Sequence, residues 1–458
     1  MASEPEHVGQ EAERALLSLD ARLRLPGPEF APGSERLSWM GGIPVARAAW
    51  GTYLPSEGIF EALGREGVLD EGTQDRIKGL GFAGGFRFPS QGVDVYSDEV
   101  QGYMAGYAAR LAGRVVGARR SRGENDWDHV DRLYVGSSTA TEGMIEQVGR
   151  LLSSIGVGVD EVVHYSLACN SATQALRDAH TLPGKNVVIV GLDTLSGSVA
   201  GTDDPVTYAT FGNGGGALAL VPGKDMRLVG DEGGAFGGTV IEHDTEPILT
   251  VKTGRGLPEG FVSTVQPPEG YRLKGVETAA HFAVTPDGVF LTIPQSEDGR
   301  LHMNPVGTYR YFVLLGAVEY AYQTAKAYAQ SEFGRSHPLG YPTGHQPSYE
   351  VLIGGFNQML ARLALESLGW DRARIRGTLK ANIDGLDVFL EAHGVVVPQF
   401  RWTMKVAGKN NTSAGTPLDC MGVMAQMGNF RPGSVHLLLG LGVGNSYGAH
   451  IIQIGPFS

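Results

Sequence analysis

Cys169 is the residue of this sequence best suited to nucleophilic chemistry, because of the segments on either side of it. An apolar, strand-like run, Val-Val-His-Tyr-Ser-Leu-Ala, ends directly before the thiol, and an amphipathic helical pattern with Ala172, Ala175, Leu176 and Ala179 begins directly after it. The sulfur is therefore predicted at a helix N-terminus, where unpaired N–H groups and the macrodipole favour the nucleophilic thiolate. A free cysteine can equally be a small buried core residue, so the rest of the chain must decide.

Three later segments contain residues that could complete a site around this thiol. A glycine turn, Phe211-Gly-Asn213-Gly-Gly-Gly-Ala, leads into an apolar strand, and such a turn lets the backbone approach a neighbouring segment closely, although an ordinary hairpin fits as well. Asn411-Thr-Ser-Ala-Gly leads into a predicted helix over 418–427, so Asn411 is either its cap or an amide that points into a site. A buried strand ending near Leu441 then runs into Gly-x-Gly repeats and a second strand.

Composition argues against several partners and locations. The 458 residues carry a net charge of −12, and the one basic cluster, Arg114 to Arg122, is short and indicates a solvated surface loop, so we expect no nucleic-acid partner. The N-terminal residues lack the features of a signal peptide, and no apolar run is long enough to span a membrane. With Cys169 and Cys420 as the only cysteines, we expect a cytoplasmic protein without a disulfide framework. No cluster shows metal-ligand spacing, so no metal site is expected.

The pattern of apolar runs predicts an α/β fold with a mostly parallel sheet, because strand-like runs alternate with helical patterns. Residues 1–37 are polar and are expected to form an extension before the fold. The rest divides into two halves of similar style, 38–225 and 226–458, the second with long insertions at about 250–300 and 332–395. The predicted strands and helices lie over 43–51, 130–135, 161–166, 186–191, 215–221, 308–331, 349–353, 357–368 and 434–441.

Taken in order, these segments resemble the thiolase superfamily, in particular its branch of β-ketoacyl-acyl-carrier-protein synthase III and 3-hydroxy-3-methylglutaryl-CoA synthase. Leu-Ala-Cys169-Asn-Ser-Ala resembles the nucleophile motif of that branch, and Phe-Gly-Asn213-Gly-Gly-Gly-Ala is similar to its Phe-Gly-Asp-Gly-Ala-Gly-Ala turn. Asn411-Thr-Ser-Ala-Gly is similar to its Gly-Asn-Thr-Ser-Ala-Ala-Ser, with Asn410 where the glycine is expected. The opening strand and the closing glycine-rich strand pair also match in type, so the resemblance spans about 40–458.

The resemblance implies a thiolase-like five-layered α-β-α-β-α fold of two duplicated halves, assembled as a homodimer. It also implies that Cys169 takes an acyl group from CoA or acyl-carrier protein as a thioester, which a second acyl unit attacks, with no cofactor. The backbone N–H groups of Cys169 and of the segment near Gly444 would form the oxyanion hole. Asn411, with a histidine, would bind the second thioester carbonyl and stabilise its enolate.

The histidine of the site is less well defined. The branch carries it in a Pro-His-Gln-Ala-Asn type motif, which Phe-Leu-Glu-Ala-His393-Gly resembles locally. Only 18 residues separate His393 from Asn411, however, and a helix and a strand hardly fit between them. Three possibilities stay open: His393 acts after a rearrangement, another loop histidine such as His345 or His302 reaches the site, or the site lacks the histidine. Glu142 is a further candidate base.

We therefore expect an acyltransferase that condenses an acyl group held on Cys169 with a carbon nucleophile in a Claisen-type reaction, with Asn411 and His393 as its other site residues. One alternative is an acyltransferase of the same fold that forms an ester or amide. Another is a non-catalytic partner subunit of a synthase heterodimer, which the retained Cys169 argues against. Cys420 is expected in the core of the helix that follows Asn411.

Overall fold

The computed structural model describes the chain from Pro32 to Phe457 with several gaps, and the statements below concern these residues. The described ranges are 32–65, 70–79, 84–87, 95–166, 168–197, 209–231, 234–243, 246–251, 281–285, 288–292, 317–346, 358–381, 411–442 and 446–457. The strands are β1 (Pro32–Met40), β2 (Ile43–Trp50), β3 (Thr52–Pro55), β4 (Gly84–Arg87), β5 (His129–Val130), β6 (Arg132–Gly136), β7 (Gly158–Val159), β8 (Val162–Tyr165), β9 (Val187–Thr194), β10 (Asn213–Leu220), β11 (Met226–Leu228), β12 (Gly230–Asp231), β13 (Gly234–Ala235), β14 (Gly237–His243), β15 (Glu246–Val251), β16 (His281–Thr285), β17 (Gly288–Thr292), β18 (Thr343–Gly344), β19 (Val435–Gly442) and β20 (Ser446–Ile454). The helices are α1 (Ser56–Arg65), α2 (Glu71–Gly79), α3 (Asp98–Arg120), α4 (Glu142–Ser154), α5 (Ser171–Ala179), α6 (Val318–Gln330), α7 (Glu332–Ser336), α8 (Gln358–Ser367), α9 (Arg372–Ala381) and α10 (Thr416–Gln426).

Two six-stranded sheets form the framework. The first has the order β1-β2-β10-β9-β6-β8, in which β9, β6 and β8 run parallel and β1, β2 and β10 pair antiparallel. The prediction of a mostly parallel sheet is therefore wrong: the sheet is mixed, because β10 returns directly beside β9. The second sheet has the order β15-β14-β20-β19-β18, with β11 also paired to β20. Its pairs are antiparallel except for β18 and β19, which run parallel.

The alternation of side chains along β9 and β19 builds layers on both faces of each sheet. In β9, Val188 and Val190 belong to the core beneath α3 and α4, whereas Ile189 faces α5 and α10. In β19, Leu438 faces the same two helices, whereas Leu437 contributes to the core beneath α6. Helices α5 and α10 thus lie between the two sheets, and the outer helices cover their far faces. The result is the five-layered α-β-α-β-α arrangement that the resemblance implies.

Several boundaries differ from the predictions. The fold begins before residue 38, since β1 starts at Pro32 and pairs along its length with β2. The basic cluster is no surface loop: Arg114 and Arg119 lie in α3 and form ion pairs, Arg114 with Glu35 and Arg119 with Asp225. The beginning of the predicted insertion at 332–395 contains α7 and β18, and the insertion at 250–300 contains the hairpin of β16 and β17. Each described helix is too short or too polar to cross a membrane.

Candidate active site

Cys169 lies at a turn from strand to helix, as the sequence predicts. Strand β8 ends at Tyr165, a short 3-10 helix covers Ala168–Asn170, and α5 begins at Ser171. Two glycines of the first sheet let the start of α5 lie directly on the strands. A Cβ on Gly136 would stand 2.9 Å from the Cβ of Ser171, and one on Gly191 would stand 2.3 Å from the carbonyl oxygen of Ala414. The nucleophile candidate is thus held between the first sheet and the Asn411 segment.

The sulfur of Cys169 is buried, with 3% of the residue exposed, and its thiol donates to Ser413 Oγ at 3.4 Å. Burial raises the pKa of the Cys169 thiol to about 12, while the Ser413 and Asn411 side chains act in the opposite direction and the charge of Asp193 raises it further. The prediction that the helix N-terminus favours a thiolate is therefore wrong for the resting protein. Loss of hydration at this depth is the largest cause of the raised pKa, so acylation requires that the proton be taken from the sulfur.

Asn411 is held in one orientation by three donors to its amide oxygen. The backbone N–H of Ser413 lies 2.8 Å from Oδ1, the hydroxyl of Thr416 lies 3.1 Å away, and Nε2 of His345 lies 3.2 Å away. A flipped amide would turn its NH₂ group towards these donors, so the network assigns the oxygen to this side. The amide N–H is then directed at Cys169, where it lowers the pKa of the thiol. Asn411 is therefore an amide that points into the site.

The glycine turn at 211–216 and the residue before it hold the backbone of Asn411 in place. The N–H of Asn411 donates to the carbonyl of Thr210 at 2.9 Å, and its own carbonyl accepts from the N–H of Gly212 at 3.0 Å. A Cβ on Gly415 would stand 2.6 Å from the Cα of Gly215, and one on Gly214 would stand 2.9 Å from Cγ2 of Thr412, so this approach requires glycine on both segments. The predicted close backbone approach is confirmed, and its partner is the Asn411 segment. Asn213 itself accepts from the Ser196 hydroxyl at 2.8 Å.

His345 is the histidine that the structure brings to Asn411. Strand β18 pairs with β19, and the N–H of His345 donates to the carbonyl of Leu439 at 2.8 Å. Gly344, directly before it, adopts φ +119°, and a Cβ there would lie 1.9 Å from the carbonyl oxygen of Leu439. Only glycine fits at that position. The close pairing of β18 with β19 positions the His345 imidazole beside Asn411, and His345 is 2% exposed.

Of the three histidine possibilities, the structure therefore supports a loop histidine. His393 and His302 lie outside the described residues, as does Gly444. The order Gly344-His345-Gln346 carries the His-Gln pair of the expected motif, and this pair was the signal in the sequence that could have identified it. Gln346 donates to the sulfur of Cys420 at 3.1 Å, and Cys420 is fully buried in α10, as predicted.

A buried carboxylate, Asp193 at the end of β9, organises the polar side of the site. Its Oδ1 accepts from the hydroxyl of Ser137 at 2.9 Å, the N–H of Ser138 at 2.9 Å and the hydroxyl of Thr139 at 3.0 Å. Its Oδ2 accepts from the Ser138 hydroxyl at 3.1 Å and the Ala414 N–H at 3.1 Å. Burial raises the pKa of the Asp193 carboxyl, although these hydrogen bonds oppose the shift. Sequence reasoning missed this residue.

Two other groups do not belong to the site. Glu142 lies exposed in the first turn of α4, which argues against a role as the base. His129, Asp131 and Asp160 have ligand atoms within 4.8 Å of one another, a grouping that the sequence analysis did not predict. The ammonium of Lys185 lies 2.8 Å from Asp131, and Nε2 of His129 lies 2.8 Å from Asp160, so each carboxylate already has a protein partner.

No protein-family model and no curated protein matches this sequence. Solved structures do match its fold over most of its length. The 3-oxoacyl-(acyl carrier protein) synthase III of Pseudomonas aeruginosa PAO1 matches with a TM-score of 0.52 and 15% identity, covering 92% of this chain and 100% of that one. The 1,3,6,8-tetrahydroxynaphthalene synthase of Streptomyces coelicolor A3(2), a type III polyketide synthase, matches with a TM-score of 0.51 and 14% identity over 90% of this chain and 99% of that one.

A third solved structure also matches the fold. MvaS, solved in complex with 3-hydroxy-3-methylglutaryl coenzyme A, matches with a TM-score of 0.56 and 16% identity, covering 92% of this chain and 84% of that one. At such low identity these matches establish the architecture and leave the reaction to be argued from the site. The five layers, the motif order and these structures agree, and the protein has the fold of the thiolase superfamily.

Proposed function

We propose that the protein is an acyl-condensing enzyme that holds an acyl group on Cys169 and joins it to a carbon nucleophile. The observation that carries the proposal is the arrangement at Asn411: three donors hold its amide oxygen, so its N–H is aimed at the sulfur of Cys169. A fixed N–H donor beside a nucleophile suits a reaction in which negative charge develops on an oxygen near that sulfur.

In the first half-reaction, the sulfur of Cys169 attacks the carbonyl carbon of an acyl thioester. A carbon–sulfur bond to Cys169 forms, the donor's carbon–sulfur bond breaks, and the donor departs as a thiolate. The step divides acyl transfer into two easier reactions. The position of Cys169 before α5 places its own backbone N–H at a helix start, which suits an oxyanion donor. We propose the segment near Gly444 as the second donor.

In the second half-reaction, a second thioester is bound with its carbonyl oxygen at the Asn411 amide. Decarboxylation or deprotonation of this substrate produces an enolate, whose carbon attacks the acyl group on Cys169. The Asn411 N–H stabilises the enolate oxygen, and His345 holds the amide in place through its Nε2–H. His345 takes the role that the sequence analysis assigned to His393.

The remaining parts of the proposal concern substrates and context. The donor is an acyl-CoA or an acyl-carrier protein, in keeping with the carrier protein and the coenzyme A named for two of the matching structures. The reaction needs no cofactor, since the thioester itself supplies the activated carbonyl. We further propose a homodimer in the cytoplasm. Cys169 and Cys420 are both free thiols, which suits a reducing compartment.

Product analysis with matched variants tests the proposal. Wild-type protein is incubated with acetyl-CoA and malonyl-CoA, or the carrier-protein forms, and covalent adducts and products are followed by mass spectrometry. We expect wild type to form the Cys169 adduct and a β-ketoacyl product with release of CO₂. His345→Ala and Asn411→Ala should keep the adduct and lose most of the product, whereas His129→Ala, outside the site, should keep both. In a parallel incubation with acetyl-CoA and an added alcohol or amine, an ester or amide product without CO₂ would show simple transfer, and absence of an adduct would reject the covalent mechanism.

A further inference from the structure

A line of hydrogen-bonded oxygen atoms leads from the sulfur of Cys169 to the carboxylate of Asp193. The thiol donates to Ser413 Oγ at 3.4 Å, Ser413 Oγ lies 2.9 Å from Ser138 Oγ, and Ser138 Oγ donates to Asp193 Oδ2 at 3.1 Å. Each hydroxyl can accept one proton and pass on another, so the line is continuous from thiol to carboxylate.

The backbone at Ser413 is held in an unusual conformation that keeps this line in place. Ser413 has φ +49°, in the left-handed region that non-glycine residues enter at a cost. Its N–H donates to Asn411 Oδ1 at 2.8 Å, and the neighbouring Ala414 N–H donates to Asp193 Oδ2 at 3.1 Å. The segment is thus fixed on both sides, and a strained serine whose hydroxyl touches the nucleophile points to a role beyond packing.

Asp193 is suited to receive a proton at the end of the line. The carboxylate is fully buried, and the groups that donate to it are neutral hydroxyls and backbone amides. Among the described residues no cation forms an ion pair with it, and burial raises the pKa of this carboxyl above its usual range. Burial also raises the pKa of the Cys169 thiol and keeps it protonated, although the sulfur must lose this proton to act as a nucleophile.

We propose that Ser413, Ser138 and Asp193 form a proton relay that deprotonates Cys169 as it attacks the acyl donor. The inference rests on the proposed acylation of Cys169. As the sulfur–carbon bond forms, the thiol proton moves to Ser413 Oγ, the Ser413 proton moves to Ser138 Oγ, and the Ser138 proton moves to Asp193 Oδ2. The departing donor thiolate takes its proton from solvent. When the carbon nucleophile later displaces Cys169, the same atoms return the proton to the sulfur and leave Asp193 ionised.

The pH dependence of Cys169 alkylation tests the relay without any acyl substrate. Iodoacetamide reacts with the sulfur. Mass spectrometry of the peptide that contains Cys169 gives the alkylated fraction at each time, and from it the rate. With an internal acceptor, the wild-type rate should change less than about threefold between pH 7 and 9. Without it, the thiol must lose its proton to solvent, and the rate should rise about tenfold per pH unit below the thiol pKa.

Matched serine substitutions separate the relay from general loosening of the site. Ser413→Ala removes the hydroxyl that touches the sulfur, and Ser413→Gly does so while fitting φ +49° without strain. Both should show the steep tenfold profile, as should Asp193→Asn, which lacks a basic oxygen. Ser137→Ala removes a donor to the same carboxylate but lies off the line, so its profile should stay flat whatever its absolute rate.

The outcomes distinguish this inference from the proposed function. A steep wild-type profile, or a flat profile in a folded Ser413→Gly protein, would overturn the relay even if acyl-CoA labels Cys169 normally. A steep profile in Ser137→Ala as well would show a general structural effect and would also overturn it. Acyl-CoA could instead leave wild type unlabelled while the alkylation rate is flat with pH in wild type and steep in the Ser413 and Asp193 variants. In that case the relay stands and the proposed acyl chemistry fails.

Discussion

Gly344→Ala should uncouple the two half-reactions, because it displaces His345 and leaves Cys169 in place. The backbone there has φ +119°, and an added Cβ would lie 1.9 Å from the carbonyl oxygen of Leu439. The strained conformation alone costs about 1–3 kcal/mol. Separation of the strands also weakens the hydrogen bond from His345 N–H to Leu439, which contributes about 1 kcal/mol. We expect a total loss of about 3 kcal/mol and, at the entropy of a chain this long, a Tm lower by about 3 °C.

The effect on activity should be larger than the effect on stability. A displacement of His345 by about 1 Å should slow condensation by about a hundredfold, whereas labelling of Cys169 by acyl-CoA should stay within about threefold of wild type. Calorimetry, intact-mass labelling and product formation measure the three quantities. Gly123→Ala is the matched control, since φ is +80° but a Cβ would meet no described atom within 4 Å. Equal losses of labelling and of product in Gly344→Ala would refute the separate role of His345.

Three further predictions follow from other parts of the structure. Asn411→Ala removes the N–H aimed at the sulfur and should lower the rate of product formation by about 10²–10³-fold, measured under saturating donor, because one such donor contributes that much. Arg119→Met breaks a buried ion pair with Asp225 and should lower the free energy of unfolding by about 3 kcal/mol in urea titrations; a loss below about 1 kcal/mol would contradict it. Burial lowers the pKa of His180 and His436 to about 4, so the unfolded chain binds protons first as pH falls. Stability should therefore be constant above pH 6.5 and decline towards pH 4, and urea midpoints that rise on acidification would contradict this.

Local features of the sequence were enough to place Cys169 and Asn411. The turn from β8 through Cys169 into α5 depends on residues close together in the chain, and periodicity detects such patterns. The Asn411 segment was recognised by its Asn-Thr-Ser-Ala-Gly motif and by its position before α10. The layered α/β architecture also follows from strands and helices that alternate, together with the motif order.

The features that were missed depend on contacts between distant parts of the chain. Strand β18 has only two residues, too few for an alternating pattern, and it forms because Gly344 can lie against Leu439. Asp193 ends an apolar strand and becomes a buried carboxylate only through donors more than 50 residues away in sequence. The prediction of a thiolate at Cys169 was wrong for the same reason, since the thiol is buried and contacts Ser413, 244 residues later in the chain.

The most direct test of the account is to locate the acyl group after wild-type protein is incubated with acyl-CoA and digested. The account predicts a thioester on the peptide that contains Cys169 and none on the peptide that contains Cys420, which lies buried in α10 and serves as an internal control. Cys169→Ser should abolish the thioester, and Cys420→Ser should leave it in place. An unlabelled wild type, or a label that survives Cys169→Ser, would contradict the claim that Cys169 is the acyl-accepting nucleophile.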